Sequence, residues 1–339
     1  MTDDVQPLER LALAGKARQS LKNWIAGAQF LALLAAIDEQ GWTRFLAEPR
    51  DLDALTDFSG LPPARLRDLV DALEAHGVVE RQDRTVRLSA PFEALAADDA
   101  MIGLSDLLAG ATLMAGKIRA AAQSPGALPL TDDDALVVAR AVGGRVTPVS
   151  RTLYENLFTG GLPELAGAVR AGRWLDVGCG IAGATLTMAT MVPQLRAVAV
   201  ELVPLVAAEA TRRTEALDLT DRVEVRCVDA RDVDEKDTFA GAFWAQPFFP
   251  ESARTATLDM ILRALEPGGL LFVQEMEPEP QESDRPAYAL RRLVYQGWGV
   301  PFGRTAEQLA AEAESAGFAL VRIAPTDFGR FVILRRPVE

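Results

Sequence analysis

The chain has 339 residues, of which 49% are apolar and 24% charged, with 35 Lys plus Arg against 48 Asp plus Glu and a formal charge of −13. That length fits about two domains, each able to bury its own core, and the normal apolar content excludes a disordered chain. So acidic a protein is poorly suited to a nucleic-acid backbone, where Lys and Arg must displace counterions.

Two cysteines, Cys179 and Cys227, and the single histidine, His76, make no disulfide framework and no zinc spacing. The N-terminal MTDDVQPLER is acidic where a secretory leader would be basic. The uncharged run Trp24 to Ile37 has 14 residues, too short to cross a bilayer and suited to a buried core helix. A cytoplasmic protein without a membrane partner is expected.

From about Val5 to Gly160 the pattern is mostly helical. Leu8, Leu11, Leu13 and Ala14 open it, and the apolar Trp24–Ile37 helix must be covered by its own domain or by a second subunit. Residues 51 to 89 predict a short helix at Asp51–Asp57, a turn at Ser59-Gly60, and a helix from Pro63 to about His76. Pro63 and Gly77 supply its start and stop. A hairpin of Val78–Glu80 and Thr85–Leu88 follows, which completes a winged helix. Its second helix sets Arg65 and Arg67 against Asp68, Asp71 and Glu74. The hairpin sets Arg81, Arg84 and Arg87 beside Glu80 and Asp83. Such a balanced face points to a structural or dimerisation module, since reading bases needs net positive charge. Helices continue at Met101–Ala122 and Asp132–Val142, and Thr147–Gly160 links the two halves.

From Arg173 onward strands alternate with helices. Strands are predicted at Arg173–Val177, Ala197–Val200, Val223–Val228, Phe239–Ala245, Leu270–Gln274, Ala319–Ile323 and Phe331–Leu334. Helices are predicted at Ala184–Met191, Pro204–Leu217, Ser252–Leu265, Arg285–Tyr295 and Ala306–Ala316. This is an α/β pattern with a mainly parallel sheet covered on both faces. The short turn between the last two strands makes them pair antiparallel.

The sharpest motif is WLDVGCGIAGAT, residues 174 to 185, where a strand runs into Gly178-x-Gly180-x-x-Gly183 and then a helix. Glycines let the backbone turn tightly and approach a ligand, and the helix N-terminus offers free N–H groups. The spacing alone fits NAD, FAD and S-adenosylmethionine (SAM) folds equally. Asp176 ends the first strand where a pyrophosphate would repel it and an ammonium group would be welcomed. Glu201 closes the second strand and can accept from ribose hydroxyls. Asp229, followed by Ala230, closes the third and can accept from an adenine amine. Three acids at successive strand ends suit a cationic, adenosine-bearing ligand.

These residues resemble the class I SAM-dependent methyltransferases. The closer resemblance is to small-molecule O-methyltransferases of the plant caffeate and bacterial polyketide type, which carry an N-terminal winged-helix dimerisation domain. It covers nearly the whole chain, through LVDALEAHGVVERQDRTVRLS, LDVGCGIAG, Glu201, Asp229, LEPGGLLFVQE and FGRTAEQLAAEAESAGF. The resemblance implies a winged-helix dimerisation domain over residues 1–160 and a Rossmann-like SAM-binding domain over 161–339, ending in an antiparallel hairpin. It implies SAM as cofactor with S-adenosylhomocysteine (SAH) as product, a small-molecule acceptor, and a homodimer. Asp176, Gly178, Gly180 and Gly183 would hold the methionine end, Glu201 the ribose, and Asp229 with Ala230 the adenine.

The chain departs from the resemblance at one place. Aligned through Glu251, Gln246 takes the position of the family's catalytic histidine and Phe248 that of a tryptophan. Glutamine has no useful basicity. Either the acceptor is already nucleophilic and positioning suffices, or another residue is the base, or SAM is bound without methyl transfer. Glu275, which matches the family's glutamate after the fifth strand, leads as base, with Glu277 and Tyr295 behind it. His76, at a helix end in the first domain, is structural. Phe248 and Phe249, in a Pro-bounded loop, are expected to line the acceptor pocket with Tyr295 and Trp298. Cys179 has no histidine to activate it, and no carboxylate/His cluster calls for a metal.

Overall fold

The computed structural model describes residues 7–338, so the expected helical start at Val5 lies outside the described residues. The chain divides into two compact units, residues 1–98 with 103–109, and residues 99–102 with 110–339.

The first unit opens with α1 (Pro7–Glu39), 33 residues or about 50 Å of helix. Only its C-terminal end enters a core: Leu34 and Ile37 are buried, whereas Leu8, Leu11, Leu21 and Trp24 are at least half exposed. Within this unit the apolar helix is largely uncovered. By length and composition alone Leu8–Glu39 is long and apolar enough to cross a membrane. A turn of helix, α2 (Trp42–Phe45), and a two-residue strand, β1 (Arg50–Asp51), lead to α3 (Leu52–Ser59) and α4 (Pro63–Ala75). Asp51 caps α3 by accepting from the Ala54 N–H at 2.8 Å. Strands β2 (Val79–Gln82) and β3 (Thr85–Leu88) form the wing, and β1 adds to β3 in the order β1-β3-β2. Leu55, Leu66, Val70, Leu73, Val79 and Val86 fill the space beneath.

Helix α5 (Ala90–Ala96) was not expected from the sequence, and α6 (Leu104–Gln123) follows it. The wing arginines are neutralised. Arg81 pairs with Asp71 and Glu74, and Arg87 with Glu80 and Glu93. His76 stacks on Phe30 with ring centroids 3.6 Å apart, and its Nδ1 lies 2.8 Å from the Ala72 carbonyl.

In the second unit, the remainder of α6 is followed by α7 (Asp132–Val142) and α8 (Pro148–Asn156), each opened by a threonine capping box. A π turn at Leu157–Gly161 passes into α9 (Pro163–Ala171), which the sequence pattern did not reveal. The sheet strands are β4 (Arg173–Val177), β5 (Arg196–Glu201), β6 (Val223–Cys227), β7 (Phe239–Trp244), β8 (Leu265–Gln274), β9 (Ala319–Thr326) and β10 (Gly329–Arg335). Their order is β6-β5-β4-β7-β8-β10-β9. The first five run parallel, and β10 is antiparallel to both β8 and β9.

Helices α10 (Gly183–Met191), α11 (Pro204–Ala216), α12 (Glu251–Ala264), α13 (Arg285–Gly297) and α14 (Ala306–Ser315) connect the strands. Successive strand residues point to opposite faces, so Leu175 and Val177 join α12 and α14 in one core. Trp174 and Ala197 join α9 and α10 in the other. Gly241 is small because the Trp174 ring lies 2.8 Å from where its Cβ would stand.

Residues 110–160 belong to this unit partly through Glu209 on α11. Its buried carboxylate pairs with Arg140 of α7 at 3.2 Å and with Arg212 and Arg213 at 2.8 Å. The Arg212 hydrogen bonds, opposed by burial and joined by Arg213, hold this carboxyl down to about 2. A depressed pKa contributes stability that is present above the unfolded value and lost as pH falls through the folded one. Glu209→Gln should therefore lower stability by about 1–3 kcal/mol at pH 7, with the difference from the parent shrinking below pH 4 in thermal unfolding.

Candidate active site

Strand β4 delivers the chain into the glycine turn. Gly178 and Gly180 adopt φ of +74° and +55°, a region that glycine enters without strain. The Gly178 and Cys179 N–H groups both donate to the Val200 carbonyl of β5, at 2.9 and 3.0 Å. The Gly180 N–H donates to Glu201 Oε2 at 3.0 Å. Gly178 is also constrained from above, because a Cβ there would lie 2.7 Å from the Phe249 ring. Gly183, the first residue of α10, has a different reason to be small. A Cβ would stand 2.0 Å from the Gly144 carbonyl oxygen, so chain crossing dictates this glycine. Burial pushes the Cys179 thiol up, away from the thiolate a nucleophile needs.

Two of the three strand-end acids come together. Asp176 is 2% exposed and accepts from Thr185 Oγ1 at 2.7 Å. No basic side chain among the described residues answers its charge. Burial pushes its carboxyl up to about 6; the Thr185 bond opposes this and the Glu201 charge adds to it. Glu201 accepts from the N–H groups of Gly180 and Val203 at 3.0 and 2.9 Å, and burial raises it too. Asp229 is placed differently. It accepts from the Arg231 backbone N–H at 2.9 Å and from the Arg231 guanidinium at 2.7 Å, which hold it below the usual carboxylate range. It caps a short 3-10 turn over Ala230–Asp232, in which Ala230 is buried.

Sequence reasoning missed Leu202, 62% exposed beside Glu201, and Val228, exposed beside Asp229. Apolar side chains left uncovered at strand ends were the available signal. Thr185 was also missed.

The loop after β7 borders the turn directly, since the Ala245 N–H donates to the Val177 carbonyl at 2.9 Å. Gln246 is 5% exposed and its side chain is held. Arg254 Nη1 donates to its Oε1 at 3.1 Å and to its backbone carbonyl at 2.9 Å. Its Nε2 donates to the Gln274 carbonyl at 3.4 Å. Arg254, 1% exposed on α12, forms a two-pronged pair with Glu312 of α14, both bonds 2.7 Å. It also lies 4.6 Å over the Trp244 ring.

The carboxylates expected to act as base are both ion-paired. Glu275 is buried, accepts twice from Arg330 at 2.7 Å and takes the Ala306 N–H at 3.1 Å. It links the start of α14 to β10. Glu277 is bound by Arg291 at 3.2 and 3.0 Å. The Tyr295 hydroxyl is pushed up to about 12 by burial and then by the Glu277 charge, with Arg291 opposing.

The expected pocket wall splits in two. Phe248 lies tilted against Tyr295 at 5.7 Å, and Tyr295 meets Trp298 at 5.4 Å and Phe302 at 5.0 Å. The Trp298 indole N–H is buried without a partner among the described residues. Phe249 instead packs on Gly178 and edge-on to Trp244 at 5.6 Å.

Residues 175–269 match the family described as methyltransferase domain. The chain has the class I SAM-dependent methyltransferase fold. Among solved structures, the mitomycin 7-O-methyltransferase MmcR superposes with a TM-score of 0.69 at 21% identity, covering 96% of this chain and 99% of that one. Human N-acetylserotonin methyltransferase in complex with SAM gives 0.70 at 16% identity, covering 100% of both. The N,N-8-amino-8-demethyl-D-riboflavin dimethyltransferase RosA from Streptomyces davawensis gives 0.63 at 21% identity, covering 95% and 99%. No curated protein sequence matches the chain. A methyltransferase domain of this kind uses SAM as methyl donor, and an uncompensated buried Asp176 beside Glu201 fits a ligand bearing positive charge.

A carboxyl raised in the folded state costs stability as pH climbs from its unfolded to its folded value. Asp176→Asn should therefore stabilise the ligand-free protein by up to about 3 kcal/mol at pH 8 and make no difference near pH 4. The same variant should weaken protection by SAM. Melting curves of both proteins at the two pH values, with and without SAM, test this, and a variant less stable at pH 8 would contradict the uncompensated charge.

Proposed function

We propose that this methyltransferase transfers the SAM methyl group to a small organic acceptor, chiefly by positioning and without a histidine base. The observation that carries the reading is buried Asp176 with partly buried Glu201 around the glycine turn. Asp176 and the turn at Gly178 and Gly180 would hold the methionine end of SAM. Glu201 would take the ribose, and Leu202 and Val228 would flank the adenine, with Asp229 and Ala230 at its edge. When bound, SAM supplies an electrophilic methyl on a sulfonium. The chain's own part is to align the acceptor at near-attack distance, about 3–3.5 Å, with Phe248, Tyr295 and Trp298 as an aromatic wall.

MmcR and RosA, on this one fold, carry an oxygen and a nitrogen acceptor in their names, so the acceptor atom has to be argued from this chain's own residues. Binding of SAM without transfer is the alternative that Gln246 keeps in view. Thermal unfolding with SAM, SAH or NAD(P)H separates the readings. SAM and SAH at about 100 times their dissociation constants should each add about 2.7 kcal/mol, and NAD(P)H nothing. Protection by neither SAM nor SAH overturns the proposal. Release of SAH with an acceptor distinguishes transfer from binding alone.

The N-terminal winged-helix module is proposed to serve dimerisation, in a cytoplasmic homodimer. The support is α1, whose leucines and Trp24 need a cover that their own unit does not provide. Leu21→Glu with Trp24→Glu should turn a dimer into a monomer in sedimentation, and an unchanged sedimentation coefficient would sink this role.

A further inference from the structure

The orientation of a glutamine amide follows from its partners, and here one partner settles it. Arg254 can only donate, so the atom 3.1 Å from its Nη1 must be the oxygen of Gln246. Arg254 cannot swing away, because Glu312 grips its other face and Trp244 lies beneath it. The Gln246 nitrogen therefore faces the other way, with one N–H on the Gln274 carbonyl and the second left to give.

The four carboxylates around this loop and helix α14 are each ion-paired. Glu275 is spent on Arg330 and the Ala306 N–H, Glu277 on Arg291, and Glu251 and Glu312 on Arg304. Tyr295 keeps its proton and joins the donors.

We infer that Arg254 acts as a positioning residue that fixes Gln246 as a hydrogen-bond donor, so that the molecule methylated is one whose nucleophilic oxygen is already ionised: a hydroxyl conjugated to a carbonyl or an aromatic ring, bound as its enolate or phenolate. This rests on the proposed methyltransferase activity. A neutral amine would have its one lone pair blunted by the same donor, whereas an anionic oxygen keeps further pairs free. Conjugation also makes the acceptor flat, which suits Phe248 and Tyr295. In the transfer, a lone pair of the ionised oxygen forms the bond to the methyl carbon while the carbon–sulfur bond breaks and sulfur keeps the pair. Anion and sulfonium become two neutral products, and no proton is removed in the site.

The test follows the ionisation of 4-nitrophenol by its absorbance, with the enzyme saturated by SAH. Bound nitrophenol should ionise about one pH unit below the free compound, because a hydrogen bond to a charged group favours the anion roughly tenfold. Gln246→Leu should return the bound value to that of free nitrophenol, and Gln246→Glu should raise it above. Arg254→Lys should lose most of the shift while SAH protection is retained, a split that a purely structural role does not produce. If Arg254→Lys fails to fold, the two Gln246 variants still decide. Bound nitrophenol that ionises at or above the free value, an unchanged shift in Gln246→Leu, or no nitrophenol binding while SAH still protects would each overturn the inference. Failure of SAH itself to protect would instead remove the underlying methyltransferase reading.

Discussion

The carbonyl oxygen of Val200 accepts the N–H groups of both Gly178 and Cys179, and the whole site hangs from that shared acceptor. It clamps the end of β4 to the end of β5 and turns the chain back sharply enough for α10 to start at Gly183. Glu201, the next residue on β5, takes the Gly180 N–H. The same short stretch that shapes the turn thus brings a second carboxylate beside Asp176. Turn geometry and charge placement are one feature.

Charge is treated in opposite ways on the two sides of that turn. Toward the donor side, Asp176 stays buried with only a threonine hydroxyl for company, a costly state for a carboxylate that a cationic ligand relieves. Toward the acceptor side, Glu251, Glu275, Glu277 and Glu312 each have an arginine. Acids left open attract a cation, while acids closed by guanidinium groups leave mostly donors exposed. On the proposed function, the sheet separates a half for a cationic donor from a half for an electron-rich acceptor.

Much of this was legible from residue order. Strand–glycine–helix spacing placed the turn, and the acids two residues before the first glycine and at the next strand end were found where expected. The antiparallel final pair followed from the short turn between its strands. What escaped depended on contacts between distant residues. The role of Glu275 is set by Arg330, 55 positions away, and that of Gln246 by Arg254 and Glu312. No local pattern announces such partners. Helix α9 escaped because its short run of Pro163 to Ala171 sits beside Gly160 and Gly161, which read as linker. The Glu209 cluster ties α7 to α11 across 69 residues, again a pairing invisible to periodicity.

Phe249 lies on Gly178, close enough that even a methyl group at that glycine would collide with the ring. The loop carrying Gln246, Phe248 and Phe249 therefore rests directly on the backbone that shapes the donor site. On the proposed function, selection for a new acceptor through this loop disturbs cofactor affinity as well, so the two binding steps evolve as a linked pair. On that reading the linkage extends to α13, since Tyr295 touches Phe248 of the same loop.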